Sequence, residues 1–341
     1  IVGAGPIGIE LHVALRRLGI EVLHVDAGQI AHTIQWYPRD VRFFSSPERI
    51  AIAGVPLVTA NQEKATREEY LGYLRGLVAQ FELPIRSHHR VTDIARTADG
   101  FSLRTEGPAG PSEHAVTRVV LAIGDMHEPV RLDIPGEDLP HVSHYFDDPH
   151  TYFRKRLLIV GGKNSAVEAA LRCHRLGARV TISYRGREFR ERSVKAWLLP
   201  DVRNQIESGR IDYLPETVPV RITATDVELC SVGDGARRET RPFDFVLLMT
   251  GYRQDPTLFR RAGVELQGDN GAPRFDEATM QTDVPGVYVA GTAAAGTQRF
   301  FRLFIEKCHP HVGRIVRHIT GSEPPFATDD TSRLARDLPE S

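Results

Sequence analysis

The strongest constraint on this chain is a pattern that occurs twice: apolar strand, glycine-rich turn, apolar helix, second strand. The first copy opens the sequence, with Gly3-Ala4-Gly5-Pro6-Ile7-Gly8 leading into an apolar stretch at 9–18. Gly19 closes that helix, and a second strand at 21–25 ends at Asp26. The second copy has a strand at 157–160, the turn Gly161-Gly162-Lys163-Asn164-Ser165, a helix at 166–176, Gly177 and a strand at 179–183. Gly3 and Asp26 are 23 positions apart, as are Gly161 and Tyr184. The chain therefore reads as α/β, with two Rossmann-like nucleotide-binding domains of the three-layer ββα type.

The first turn carries all three glycines of the dinucleotide fingerprint. Gly3 allows the tight turn, Gly5 lets the backbone approach a pyrophosphate, and Gly8 lets the helix pack on the strand. Pro6 suits the first helical position. The amides at the helix start offer unpaired donors and partial positive charge to phosphates. Asp26 stands where a carboxylate accepts hydrogen bonds from ribose hydroxyls. A glycine turn that binds nothing is the competing reading, and the acid in register argues against it.

The second turn departs from this pattern. Lys163 occupies the middle glycine's place, so its side chain points away from a pyrophosphate or meets it as a cation. The second strand ends without a carboxylate; Tyr184-Arg185-Gly186-Arg187 follows, then Arg190 and Arg192. An acid there would repel a 2′-phosphate, whereas arginine grips one through charge-assisted bonds. A solvated basic loop is the plainer alternative. The acid-bearing copy thus suits FAD and the arginine-bearing copy suits NADPH.

Elsewhere a helix is expected over 66–81 and strands over 91–97, 101–105 and 116–121. A Pro/Gly/Asp-rich crossover follows at 128–149. Strands are expected at 243–250 and 286–290, and a last helix at 298–319. The NADPH domain reads as inserted in a discontinuous FAD domain: 1–147 FAD, 148–251 NADPH, 252–341 FAD. Net charge is −1, with Lys+Arg 43 against Asp+Glu 44, so nothing recruits nucleic acid. Apolar runs such as 245–249 fall far short of the roughly 18 residues of a membrane span. Three scattered cysteines, Cys173, Cys230 and Cys308, form no CxxC and favour a reducing, cytoplasmic compartment. The chain opens inside a strand, at Ile1-Val2, so a few residues are expected upstream.

Further motifs carry a family resemblance. They include Phe43-Phe44-Ser45-Ser46-Pro47-Glu48, Ile134-Pro135-Gly136-Glu137-Asp138-Leu139-Pro140, His144-Tyr145-Phe146 and Val160-Gly161-Gly162-Lys163-Asn164-Ser165. Ser193-Val194-Lys195-Ala196-Trp197-Leu198-Leu199-Pro200, Met249-Thr250-Gly251-Tyr252 and Phe304-Ile305-Glu306 complete them. Over nearly its whole length the chain resembles thioredoxin-reductase-like pyridine nucleotide–disulfide oxidoreductases, and within them the bacillithiol disulfide reductases. The resemblance implies FAD, NADPH, a homo-oligomer and reduction of a low-molecular-weight thiol disulfide. It groups Ser45, Val91, Ala122, Gly124, Gly291, Thr292 and Thr297 with the FAD turn. Gly161, Gly162, Lys163, Asn164, Ser165, Tyr184, Arg185, Arg190 and Gly251 go with NADPH; Lys163 belongs to the subgroup's pattern.

Two positions depart from the family. Thr292 stands where the superfamily has an aspartate that holds the flavin's ribityl chain. Ile7 stands where the bacillithiol-type proteins commonly carry cysteine, and isoleucine forms no mixed disulfide. Catalysis is therefore expected from the flavin itself, with no redox cysteine pair. Cys173 reads as a packed helix residue and Cys230 as a core strand residue. Cys308 follows Lys307, a cation of the kind that lowers a thiol pKa, with packing the plainer reading. His309 and His311 lack a second ligand cluster, so no metal is expected. Trp36, Tyr37, Phe43 and Phe44 are open to core packing or to contact with the flavin.

The chain therefore reads as an NADPH-dependent FAD oxidoreductase whose acceptor is a small-molecule disulfide or a small redox protein. Three alternatives compete: a ferredoxin- or flavodoxin-type NADP reductase, a flavin monooxygenase, and a non-catalytic flavin redox sensor.

Overall fold

A computed structural model describes residues 1–233, 237–298 and 303–328. The chain forms two compact units. One comprises Ile1–Trp36, Asp40–Glu128 and the chain from Tyr252 on; the other comprises Tyr37–Arg39 and Pro129–Gly251.

In the first unit the helix Pro6–Arg17 begins inside the glycine turn, with Gly5 as its cap and Pro6 at its first position. Leu18 caps its end, and Gly19 at φ +74 makes the left-handed exit that a Cβ disfavours. The neighbouring parallel strands are Val287–Val289, Val119–Leu121, a single bridge at Val2, His24–Val25 and Ile85–Arg86, in that order. An antiparallel meander, Arg90–Thr97, Gly100–Gly107 and Gly110–Val116, forms the second sheet. Ile7, Leu11, Ala14 and Leu15 of the helix, Val119–Leu121, Val287–Val289, and Val312, Ile315 and Val316 share one core.

The helix Arg67–Gln80 starts one residue later than expected because Thr66 caps it. Thr66 N donates to Glu69 Oε2 at 2.7 Å, and Glu69 N donates to Thr66 Oγ1 at 3.2 Å.

The second unit repeats the plan. Its parallel sheet runs Asp212–Pro215, Arg179–Tyr184, Arg156–Val160, Phe245–Leu248 and Val142–Ser143. Alternation along the strands supplies two cores. Leu157, Ile159, Ile182 and Leu247 pack with the helix Asn164–Arg175. Leu158, Val160, Val246 and Leu248 pack with Ile222, Val227 and Leu229 of an antiparallel meander. Burying each such side chain fully is worth roughly 1.5–3 kcal/mol, so both faces hold the sheet.

Three expectations change. Residues 116–121 are not one strand: Gly110–Val116 ends in the meander, and Val119–Leu121 starts the parallel sheet. The last helix begins at His309, not at 298; a short turn Ile305–Lys307 precedes it, and 299–302 lie outside the described residues. Residues 129–147, read above with the first domain, lie in the second unit. There Val142 and Ser143 pair with Val246 and Leu247 and complete its sheet.

Candidate functional site

The first glycine turn is tight where the protein demands it and open where a ligand would. Gly3 has φ +104, and a Cβ on it would stand 2.4 Å from Ala122 O. A Cβ on Gly8 would meet Gly3 O at 2.1 Å. Both positions must be glycine for the backbone to close. Gly5 differs: its φ is −74, and a Cβ there would meet no atom within 4 Å. The protein itself does not require glycine at 5. No side chain caps the helix start at Gly5, so its amides remain for an anion. This cradle fits a pyrophosphate.

Behind the turn lies a pair of histidines that sequence reasoning missed. His24 Nε2 is 3.0 Å from Gly3 O, and His24 Nδ1 is 3.0 Å from His12 Nδ1. The carbonyl can only accept, so His24 Nε2–H donates to it, and His12 Nδ1–H donates to His24. Burial pushes the pKa of both histidines down, to about 4 for His12, so both stay neutral. The only sequence signal is a histidine interrupting an apolar strand.

Asp26 is held by amides on both oxygens. Ala4 N donates to Oδ2 at 2.6 Å and Gly28 N to Oδ1 at 2.7 Å. A carboxylate has about four acceptor sites, which leaves room for ribose hydroxyls. The neighbouring segment runs alongside: Asp26 N donates to Arg86 O, and His89 N donates to Asp26 O at 2.7 Å. Val91 follows two residues later, with its side chain in the core. Ser45 is half-buried before the short helix Pro47–Ile50, and among the described residues it makes no hydrogen bond to the turn.

On the other flank of the turn, two loops meet. Ala122 N donates to Val2 O at 2.8 Å, and Gly124 has φ +75 with Thr292 Oγ1 3.9 Å from where its Cβ would be. Gln254, also missed, is 6% exposed and ties these loops together. Its Nε2 donates to Gly124 O at 2.9 Å and to Ala293 O at 3.0 Å, while its backbone N donates to Thr297 Oγ1 at 3.1 Å. Asp125 is buried beside them; it accepts from Gln298 Nε2 at 2.8 Å and from Thr292. Its one sequence signal is that it follows Gly124. Gly291, at φ +71, lies against Ile7. Phe43 stacks edge-on to Tyr70 at 4.7 Å, and Trp36 lies 5.1 Å from His32.

The second turn is shaped by an aromatic ring. A Cβ on Gly162 would stand 2.3 Å from the Tyr184 ring, and one on Gly186 2.7 Å from it. Tyr184 in turn stacks on Phe189 at 5.8 Å. Lys163 caps the helix Asn164–Arg175. Desolvation, then the charge of Arg185, lowers its ammonium pKa, so two cations converge on this turn. Arg185 and Arg190 are exposed at the end of Arg179–Tyr184, as is Ser165 beside the turn. Asn164 Oδ1 accepts from Lys195 N at 2.8 Å, which ties the turn to the 193–198 segment. Gly251, at φ +98, has open space where a Cβ would be.

All three cysteines are buried, and none of them forms a disulfide. Burial pushes the Cys173 thiol up to about 12, and that of Cys308 well above its usual range. Lys307 therefore does not activate Cys308. His309 Nδ1 pairs with buried Glu10 Oε2 at 2.8 Å, which accounts for that histidine. Among the described residues no cluster could hold a metal, and no helix is long and apolar enough to cross a membrane.

Comparison with known proteins gives the family. The family model of pyridine nucleotide-disulphide oxidoreductases matches residues 1–291. Bacilliredoxin reductase Bdr of Bacillus subtilis is 35% identical over 95% of this chain and 97% of its own length. The solved bacillithiol disulfide reductase Bdr (YpdA) of Bacillus cereus superposes with a TM-score of 0.88 at 32% identity, over 94% of this chain and 97% of that one. A ferredoxin–NADP reductase of Ignicoccus hospitalis is 26% identical over 88% of this chain and 90% of its own length. The chain belongs to the pyridine nucleotide–disulphide oxidoreductases and is an NADPH-dependent flavoprotein enzyme whose cofactors are FAD and NADPH.

Proposed function

We propose that this enzyme reduces a low-molecular-weight thiol disulfide, or a small redox protein that carries one, with the first unit holding FAD and the second NADPH. The balanced reaction is NADPH + H⁺ + RSSR → NADP⁺ + 2 RSH. The observation that carries it is the likeness to the Bacillus proteins, which runs through both units. FAD, when bound, would supply the two-electron chemistry that links the nicotinamide to the disulfide.

The chain's residues supply position and charge. Gly5 and the amides at the start of Pro6–Arg17 take the FAD pyrophosphate, and Asp26, oriented by Ala4 N and Gly28 N, accepts from the ribose hydroxyls. Arg185 and Arg190 take the 2′-phosphate of NADPH, with Lys163 adding a cation at the second turn. Ile7, buried against Gly291, keeps water from the flavin side of the turn. No thiol of the chain takes part.

The test is anaerobic: NADPH reduces the bound flavin in a stopped-flow mixer, and candidate acceptors follow. Rapid two-electron reoxidation by a low-molecular-weight thiol disulfide supports the reading. The likeness to ferredoxin–NADP reductases makes ferredoxin the rival acceptor. One-electron reoxidation by ferredoxin or flavodoxin alone would overturn the proposal.

A further inference from the structure

The sheet of the first unit sets an order along the dinucleotide. Val2 bridges Val25 on one side and Leu121 on the other, all parallel. The glycine turn after Val2 therefore lies between two flanks: Asp26 follows Val25, while Asp125 follows the loop after Leu121. Ligands of such sheets bind outside the carboxyl ends of the strands. With its pyrophosphate at Gly5, a dinucleotide must lay one half over each flank. Asp26 takes the ribose, so the flavin half lies toward Asp125 and Thr292.

The chemistry of that flank fits an uncharged ligand rich in hydroxyls. Asp125 is 8% exposed. Its carboxylate accepts from Gln298 Nε2, from the Thr292 hydroxyl and from its own backbone N–H, which leaves about one of its roughly four acceptor sites for a ligand hydroxyl. Among the described residues no cation is paired with it. Burial keeps neighbouring His127 mainly neutral, and the Cys308 thiol is protonated. A buried carboxylate with no counter-ion among the described residues is matched by neutral donors. A phosphate would be repelled, whereas a chain of hydroxyls supplies such donors. Gln254 fixes both loops beforehand through Gly124 O and Ala293 O, so little ordering remains for the ligand to bring about.

We propose that Asp125 accepts a hydrogen bond from a hydroxyl of the sugar-alcohol chain that joins the flavin of FAD to its pyrophosphate, with Thr292 and Gln298 orienting the carboxylate. This rests on the reading of the first unit as the FAD domain. It also gives Thr292 a role: its single proton holds Asp125.

The experiment titrates apoprotein with FAD, by flavin fluorescence, and separately with ADP, by calorimetry, since ADP spans only the adenosine flank and the pyrophosphate. Asp125→Ala weakens FAD about 10- to 100-fold, the effect of losing hydrogen bonds to a charged group, and leaves ADP affinity unchanged. Asp125→Asn keeps the shape and an accepting oxygen, so it falls between. Asp26→Ala weakens both ligands. Unchanged FAD affinity in both Asp125 variants, or equal loss of FAD and ADP in Asp125→Asn, would overturn the proposal. Wild-type apoprotein that takes up no FAD, or a Gly5→Val protein that still does, would remove the domain assignment beneath it.

Discussion

Ile7 and Gly291 face each other in the first unit: a Cβ on Gly291 would stand 3.5 Å from Ile7 Cβ. The first turn of Pro6–Arg17 therefore packs an apolar side chain against the loop that carries Thr292. A thiol at position 7 would have lain beside that loop, and here a hydrocarbon fills its place. Any disulfide reduction must then run without a mixed disulfide at this position.

The remaining thiols do not replace it. A thiol attacks as thiolate, and burial holds Cys173 and Cys308 protonated at neutral pH. The Cys173→Ala, Cys230→Ala, Cys308→Ala protein is expected to keep its NADPH-dependent reduction of the acceptor. Loss of acceptor reduction with flavin reduction intact, traced to Cys308→Ala alone, would show that a thiol had been recruited.

The three glycines of the first turn are expected to fail in different ways. The Cβ of Gly5→Val meets no atom within 4 Å, so the apoprotein should keep its melting temperature and lose FAD. Gly8→Ala drives a Cβ into Gly3 O and should lower stability by about 1–3 kcal/mol, as overpacking does. Thermal unfolding of both apoproteins, with absorbance of bound flavin, separates the two. Equal destabilisation by both would mean that Gly5 serves the fold and not the ligand.

This contrast marks what the sequence makes legible. Glycine turns, caps and apolar periodicity are local, so both nucleotide-binding units and the capping box at Thr66 and Glu69 can be read directly. The residues that finish the site are not local. Gln254 reaches Gly124 across 130 positions and Gln298 reaches Asp125 across 173. His24 looks like a flaw in an apolar strand until Gly3 O stands opposite it. Gly162 reads as a phosphate-loop glycine, yet its missing side chain makes room for the Tyr184 ring. The 116–121 segment misleads in another way: Val116 and Val119–Leu121 read as one strand, while the backbone leaves one sheet for another at Thr117-Arg118 between them.

Arg185 and Arg190 should carry the choice of nucleotide. Both are exposed in the segment that follows Arg179–Tyr184, and no carboxylate stands at the strand end before Glu188. Each charge-assisted bond is worth about 1.5–3 kcal/mol, so each alanine substitution should lower kcat/KM for NADPH about 10- to 150-fold and leave that for NADH little changed. Parallel losses for both nucleotides would point to damage at the turn rather than to a missing phosphate contact.

The second unit should also lose stability as pH rises through neutrality, because of Glu168. This residue lies one turn into Asn164–Arg175, where burial raises its pKa from 4.5 to about 7. Arg172, four residues on, offsets this only in part. Its guanidinium is shared with Arg39 O and lies 5.4 Å from the Phe146 ring centroid. A raised folded pKa means that the folded state holds the proton more tightly than the unfolded chain does. The stabilisation is complete below pH 4.5 and is lost as pH climbs through about 7. Partial exposure of Glu168 reduces the effect to about 1–2 kcal/mol. Glu168→Gln keeps the neutral shape at every pH. Urea unfolding of the apoprotein should find the variant more stable than wild type at pH 8 and equal to it at pH 4.5. A variant less stable at pH 8, or a gap that does not close on acidification, would mean that Glu168 is ionised and paired in the folded protein.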